Sequence, residues 1–134
     1  MLGVSARTVR GQVKVAKRAV RFAISGLLVT LLHVCVAGAL IEFASLRPTT
    51  SNGIAFLAAT LVSFALNTSW SFSAAFSRIA FARFLLVSAL GLIWAVTVAW
   101  LAHVFAFSHW IGILAVAVTT PPITFLLHNF WTYR

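Results

Sequence analysis

A single carboxylate side chain, Glu42, is all the acid that this 134-residue chain carries. Hydrolysis by paired carboxylates needs two, and a metal centre needs clustered Cys, His and acidic ligands. Neither pattern occurs, nor does a Ser/His/Asp set or a phosphate-cradling glycine loop. No enzyme activity and no cofactor are expected from this stock of residues. Cysteine is equally scarce. Cys35 stands alone in an apolar stretch, so no intrachain disulfide can form and the redox compartment is not indicated. Charged residues make up only 8% of the chain.

What is abundant is apolar surface. Hydrophobic residues make up 62% of the chain and the mean hydropathy is +1.05. No soluble domain of this size could cover so much with polar groups. A membrane span takes about 20 mostly apolar residues. Four such stretches are expected, at roughly 22–41, 53–72, 84–105 and 109–131. Little chain remains for a soluble domain. The basic N-terminus followed by an apolar run has the outline of a signal peptide, with Ala37-Gly38-Ala39 as a cleavage site. The run is too long for that reading, and it belongs to a repeat.

The repeat is the main organising feature. Arg21-Phe22 opens one apolar stretch and Arg83-Phe84 opens another, 62 positions later. The segment from Phe64 to Phe72 closes the first unit, and that from Phe125 to Tyr133 closes the second, 61 positions on. The fold class is therefore all-α integral membrane. It comprises four transmembrane helices as two parallel-repeat hairpins, residues 21–72 and 83–133, after an N-terminal basic amphipathic arm over residues 1–20.

The net charge is +9. Nucleic acid is one partner that such a chain could take, but the cations lie at membrane edges, and the bilayer explains them better. Six precede the first span: Arg7, Arg10, Lys14, Lys17, Arg18 and Arg21. Arg78 and Arg83 lie between the second and third spans, and Arg134 ends the chain. Only Arg47, with Glu42, lies between the first two spans. The positive-inside rule then places both termini and the middle loop, 73–82, in the cytoplasm. In residues 5–20 the cations recur every three or four positions, opposite Val9, Val13, Ala16 and Val20. This predicts a helix on the membrane surface that grips anionic lipid or a partner enzyme, or alternatively a topology determinant that happens to be helical. In the outer turn, Pro48 is expected to end the preceding segment, and Ser51 or Asn52 to cap the second helix.

Several polar residues need a reason for being in hydrocarbon. His33 lies about 18 Å along a helix from Arg21, near the midplane. It is either a ligand contact or proton relay, or an interhelical hydrogen-bond partner for Thr30, Thr60 or Ser63. Asn67 and His128 hold matching places near the cytoplasmic ends of the second and fourth spans. Each is either a packing contact or part of a polar pocket. Trp70 and Trp131 follow at the interface, as aromatic-belt residues do. Pro121-Pro122, after Thr119-Thr120, removes two helix donors midway along the fourth span. That predicts a kink, serving as a hinge or cavity wall, or else tolerated by packing with the Thr hydroxyls on the freed carbonyls.

The two Arg-Phe openings, Gly26 and the Asn67-x-x-Trp70-x-Phe72 closure together resemble the GtrA-like family of small four-span membrane proteins. The resemblance covers roughly residues 21–134. It implies movement of a polyprenyl-phosphate-linked sugar across the bacterial inner membrane, for modification of a surface polysaccharide. Some members have been considered anchors for a membrane glycosyltransferase instead. The family usually has a basic residue directly after the Asn. Thr68 stands there in the first unit, and His128-Asn129 stand for the Asn and basic residue in the second. Under this resemblance the substrate-binding residues would be Arg21, His33, Asn67, Trp70, Arg83, His128, Asn129 and Trp131. The partners would be the polyprenyl-phosphate sugar lipid, anionic membrane lipids and, as an anchor, a glycosyltransferase. A homo-oligomer is expected, because four short helices can hardly enclose a sugar path. A small multidrug exporter also has four spans, but couples protons through a buried carboxylate that this chain lacks at depth.

Overall fold

The computed structural model describes residues 2–134; side chains are described except those of 2–7, 48, 49, 52 and 109. Arg7, counted on the cationic face of the arm, is among those exceptions. Every element among the described residues is helical: α1 (Leu2–Glu42), α2 (Pro48–Leu66), a π-turn (Asn67–Ser71), α3 (Arg78–Val104), α4 (His109–Leu127) and a second π-turn (His128–Thr132). Four of these helices are long and apolar enough to cross a membrane. The chain divides into two compact units, Met1–Ala75 and Phe76–Arg134. Each is one helical hairpin.

Both hairpins repeat the same plan, and their second helices have the same length. α2 and α4 each have 19 residues, and each runs into a five-residue π-turn. The change of repeat spacing from 62 to 61 is explained at the hairpin turn. In the second hairpin the Phe107 amide donates to the Ala102 carbonyl across a left-handed Ala106 (φ 55°). In the first, the Leu46 amide donates to the Leu40 carbonyl across a left-handed Ser45 (φ 52°). The first turn is one residue wider, which uses up the extra position.

Three boundaries differ from the sequence expectation. Pro48 starts α2 rather than ending what precedes it. Arg47 holds the extended N-cap position, and the missing proline donor costs nothing in a helix's first turn. Ser51 and Asn52 therefore lie inside the helix, and the Ser51 amide already donates to the Arg47 carbonyl. The middle loop is shorter than 73–82. Ser77 caps α3 by accepting from the Ala80 amide at 3.0 Å, so the helix begins at Arg78. The basic arm is helical, but no break separates it from the first span. α1 runs for 41 residues, about 60 Å, which is twice the hydrocarbon thickness.

Within each hairpin the buried core is small. Ala37, Ala55, Ala59 and Phe72 fill the first, and Ala80, Phe84, Val87 and Phe125 the second. Small residues let helix backbones approach where lipid supplies no hydrophobic drive. Leu27, Leu57, Ile93 and Leu114 are among the many large apolar side chains left exposed, as befits a surface that lipid covers.

Candidate functional site

The last four carbonyls of any helix lack intrahelical partners. Both hairpins meet that need in the same way. The π-turn closes on a wide hydrogen bond, from the Phe72 amide to the Asn67 carbonyl at 2.9 Å and from the Tyr133 amide to the His128 carbonyl at 3.1 Å. An arginine from the neighbouring helix then caps a carbonyl of the turn. Arg21 Nη1 donates to the Trp70 carbonyl at 3.0 Å, and Arg83 Nη1 to the Trp131 carbonyl at 3.1 Å. Each guanidinium carbon lies 5.6 Å from the centre of the same tryptophan's ring, within cation–π range. A cation at a helix C-terminus also opposes the helix dipole. Such π-turns recur at functional sites.

Beneath the two clasps the hairpins differ. In the first, Asn67, Thr68 and Ser71 are buried, and Ser71 Oγ shares a 3.0 Å hydrogen bond with Ser25 Oγ of α1. Asn67 Nδ2 donates to Ser63 Oγ at 3.2 Å, while its buried Oδ1 has no partner. Arg18 adds a second guanidinium at this turn, with Nη2 3.4 Å from the Phe72 carbonyl and its carbon 6.0 Å from the Phe72 ring. In the second hairpin, buried Val87 stands where Ser25 stands in the first. His128 is buried, bonded through Nδ1 to Thr132 Oγ1 at 3.0 Å, and stacked on Phe84 at 4.9 Å. Asn129 is buried beside it in sequence.

The structure thus brings Arg21, Trp70 and Asn67 to one end of the first hairpin, and Arg83, Trp131, His128 and Asn129 to the matching end of the second. His33 is half-buried in α1, twelve residues from Arg21 and away from that turn. The Thr30 and Thr60 hydroxyls, weighed as its partners, donate to the Gly26 and Phe56 carbonyls of their own helices. Pro121 and Pro122 lie inside a continuous α4. The proline-freed carbonyls, four residues back, belong to Ala117 and Val118, yet the Thr119 hydroxyl donates to Ala115, and that of Thr124 to Thr120 and Pro121. Thr120 Oγ1 is buried without a partner. The threonines therefore do not satisfy the proline-freed carbonyls. Sequence reasoning missed Arg18, Ser25, Phe84 and Thr132. Arg18 and Ser25 lie three and four residues from Arg21, and Thr132 four from His128, which marks these three as face-mates; Phe84 meets His128 from another helix, with no such spacing to signal it.

A family model described as the GtrA/DPMS transmembrane domain matches residues 21–133. The chain belongs to the GtrA/DPMS transmembrane-domain family. The match takes in both hairpins and leaves out the basic arm. Comparison with curated proteins and with solved structures returned no match. As a GtrA/DPMS-family chain, this is a multi-pass membrane protein of a family that relates to the handling of polyprenyl-phosphate sugars and is not known as catalytic.

Proposed function

We infer that this protein carries a polyprenyl-phosphate-linked sugar across the bacterial inner membrane, from the cytoplasmic to the outer leaflet, for modification of a surface polysaccharide. The observation that carries this reading is the twice-built arginine–tryptophan clasp, which sets a cation and an indole at the return end of each hairpin. Arg21 and Arg83 attract the lipid phosphate, and Trp70 and Trp131 hold the turn at the interface. Asn67, His128 and Asn129 supply hydrogen-bonding groups behind them. His33 and the Pro121-Pro122 segment are the midplane features past which the headgroup moves. The polyprenyl tail stays in lipid, and the protein works as a homo-oligomer with both termini in the cytoplasm.

A second reading is a non-transporting anchor that recruits a membrane glycosyltransferase. It is favoured by the N-terminal part of α1, where residues 8–17 are exposed on both the cationic and the valine face. Purified protein in liposomes with a polyprenyl-phosphate sugar and no glycosyltransferase separates the two. Faster leaflet exchange than in empty liposomes, read with an impermeant sugar reagent, supports transport. Exchange at the empty-liposome rate, together with glycosyltransferase binding through residues 5–20, replaces it with anchoring.

A further inference from the structure

Near its return end, α1 meets the rest of its hairpin along one line. Arg18 and Arg21 reach the first π-turn, and Ser25 shares a 3.0 Å hydrogen bond with Ser71. Ser25 falls about 20° around the helix from Arg18. The opposite side of α1 carries a different pattern. Val9, Val13, Ala16, Val20, Ala23 and Leu27 alternate at spacings of four and three, and all six are exposed. Each lies within about 40° of the point facing away from Arg18. This is the a/d seam of a coiled coil, with Val13, Val20 and Leu27 at a and Val9, Ala16 and Ala23 at d.

Lipid covers only part of this seam. The stretch from Arg21 to Glu42 already measures about 32 Å, the full thickness of the hydrocarbon. Val9, Val13 and Val20 come before it and are 54, 62 and 60% exposed. α1 is unbroken across this boundary and contains no proline, and Arg18 and Arg21 tie it to the hairpin end there. The arm therefore continues the line of the span, for about 18 Å from Arg21 to Val9, rather than turning onto the membrane surface. An apolar stripe standing in water calls for a cover.

The flanks of the seam decide which cover fits. Arg10 and Lys17 stand on one side, at e positions, and Gln12 and Ala19 on the other, at g. In a parallel pair the e side of one copy faces the g side of the other, so Lys17 meets Gln12 and no cation meets a cation. An antiparallel pair would set the Arg10 and Lys17 flanks of the two copies against each other. Copies inserted in the same direction are parallel. Ala16 and Ala23 let the backbones approach, as helix pairs in lipid require, and valine at a suits two strands.

We propose that the valine face of α1 is a self-association surface. A second copy of this chain seats its own valine face there, in a parallel two-stranded coil that runs from the basic arm into the span. The proposal deepens the homo-oligomer of the transport reading, and rests on that reading for the common orientation of the copies.

Cross-linking in native membranes tests it. In a Cys35→Ala background, Val13→Cys and Ala16→Cys are expected to give covalent dimers on mild oxidation, and Gly11→Cys, on the opposite face, to stay monomeric. Equal dimer yield at all three positions, or none at any, overturns the proposal. Native mass spectrometry of the full chain in detergent counts copies without an added cysteine. Val13→Lys, which puts a charge into the seam, is expected to raise the dimer's dissociation constant about tenfold. Val15→Lys, off the seam, should leave it unchanged, and circular dichroism checks that both variants fold. A monomeric parent protein, or equal weakening by both variants, overturns the proposal. So does a cross-link from Val13→Cys to a different protein in place of the dimer, which would favour recruitment. Quenching of a fluorophore at Val13→Cys by brominated lipid would put the valines on the membrane surface and overturn it too. Dimers without leaflet exchange in liposomes would sink the transport reading and leave this one standing, and exchange by a protein that stays monomeric would do the reverse.

Discussion

Arg21 grips Trp70 twice, through a 3.0 Å hydrogen bond to its carbonyl and by lying 5.6 Å from its ring centre. Arg83 and Trp131 repeat the relationship in the other hairpin. Each pair joins the start of one span to the end of the next, and so closes its hairpin at the end opposite the connecting turn. Arg21→Ala and Arg83→Ala are each expected to cost about 1–2 kcal/mol, a cation–π contact plus one charge-assisted hydrogen bond. The clasps share no residue, so the double variant should lose the sum to within about 0.5 kcal/mol. Unfolding of the purified variants in mixed micelles of rising SDS content measures this. A double-variant loss far above the sum would show that the clasps are not independent.

At Gly91 α3 lies close against α4. A Cβ added there would lie 2.8 Å from Thr124 Cγ2, whose hydroxyl is held by the Thr120 and Pro121 carbonyls. Gly91→Ala is expected to destabilise by about 1–3 kcal/mol through overpacking. Adding Thr124→Ser, which removes that methyl, should recover most of the loss. Gly26→Ala is the control, since a Cβ there meets nothing within 4 Å. Thermal aggregation midpoints of the three variants and the parent protein decide the matter, and an unaffected Gly91→Ala would refute the close approach.

Asn67 and His128 hold matching positions with unequal attachments. His128 has Thr132 and Phe84, whereas Asn67 keeps one bond, to Ser63, and leaves a buried oxygen unpaired. His128→Leu should therefore cost more stability than Asn67→Leu, by about 1 kcal/mol or more, the net worth of a hydrogen bond with the stacking in addition. In the liposome assay Asn67→Leu should slow sugar transfer without a matching loss of stability. Normal transfer in a folded Asn67→Leu, His128→Leu double variant would remove both residues from the substrate site.

The placement of Arg and Lys requires the two sides of the first hairpin to differ. Thr50→Cys and Ala75→Cys, each in a Cys35→Ala background, test it; both positions are exposed, and Ala75 avoids the Ser77 cap. An impermeant thiol reagent should label Thr50→Cys in intact cells and Ala75→Cys only after lysis. The reverse pattern would invert the orientation, and with it the assignment of the clasps to the cytoplasmic face.

Four apolar stretches, the duplication and the likeness of Asn67-x-x-Trp70 to its counterpart ending in Trp131 follow from the sequence alone. Crossing hydrocarbon demands length and apolarity, and both can be counted residue by residue. The packing inside each hairpin could not be read the same way. A lipid-facing side and a helix-facing side are both apolar, so periodicity does not separate Leu27, which is exposed, from Ala37, which is buried. The π-turns are likewise invisible locally. Asn67–Ser71 could hydrogen-bond in α register, and the wider register accompanies Arg21, Arg18 and Ser25 arriving from another helix. The start of α3 six residues before Phe84 rests on one hydroxyl, that of Ser77, facing the Ala80 amide. Composition therefore determined how many times the chain crosses. Only the meeting of distant residues decided which groups close each hairpin, because a buried polar group takes its partner from whatever the fold brings within about 3 Å.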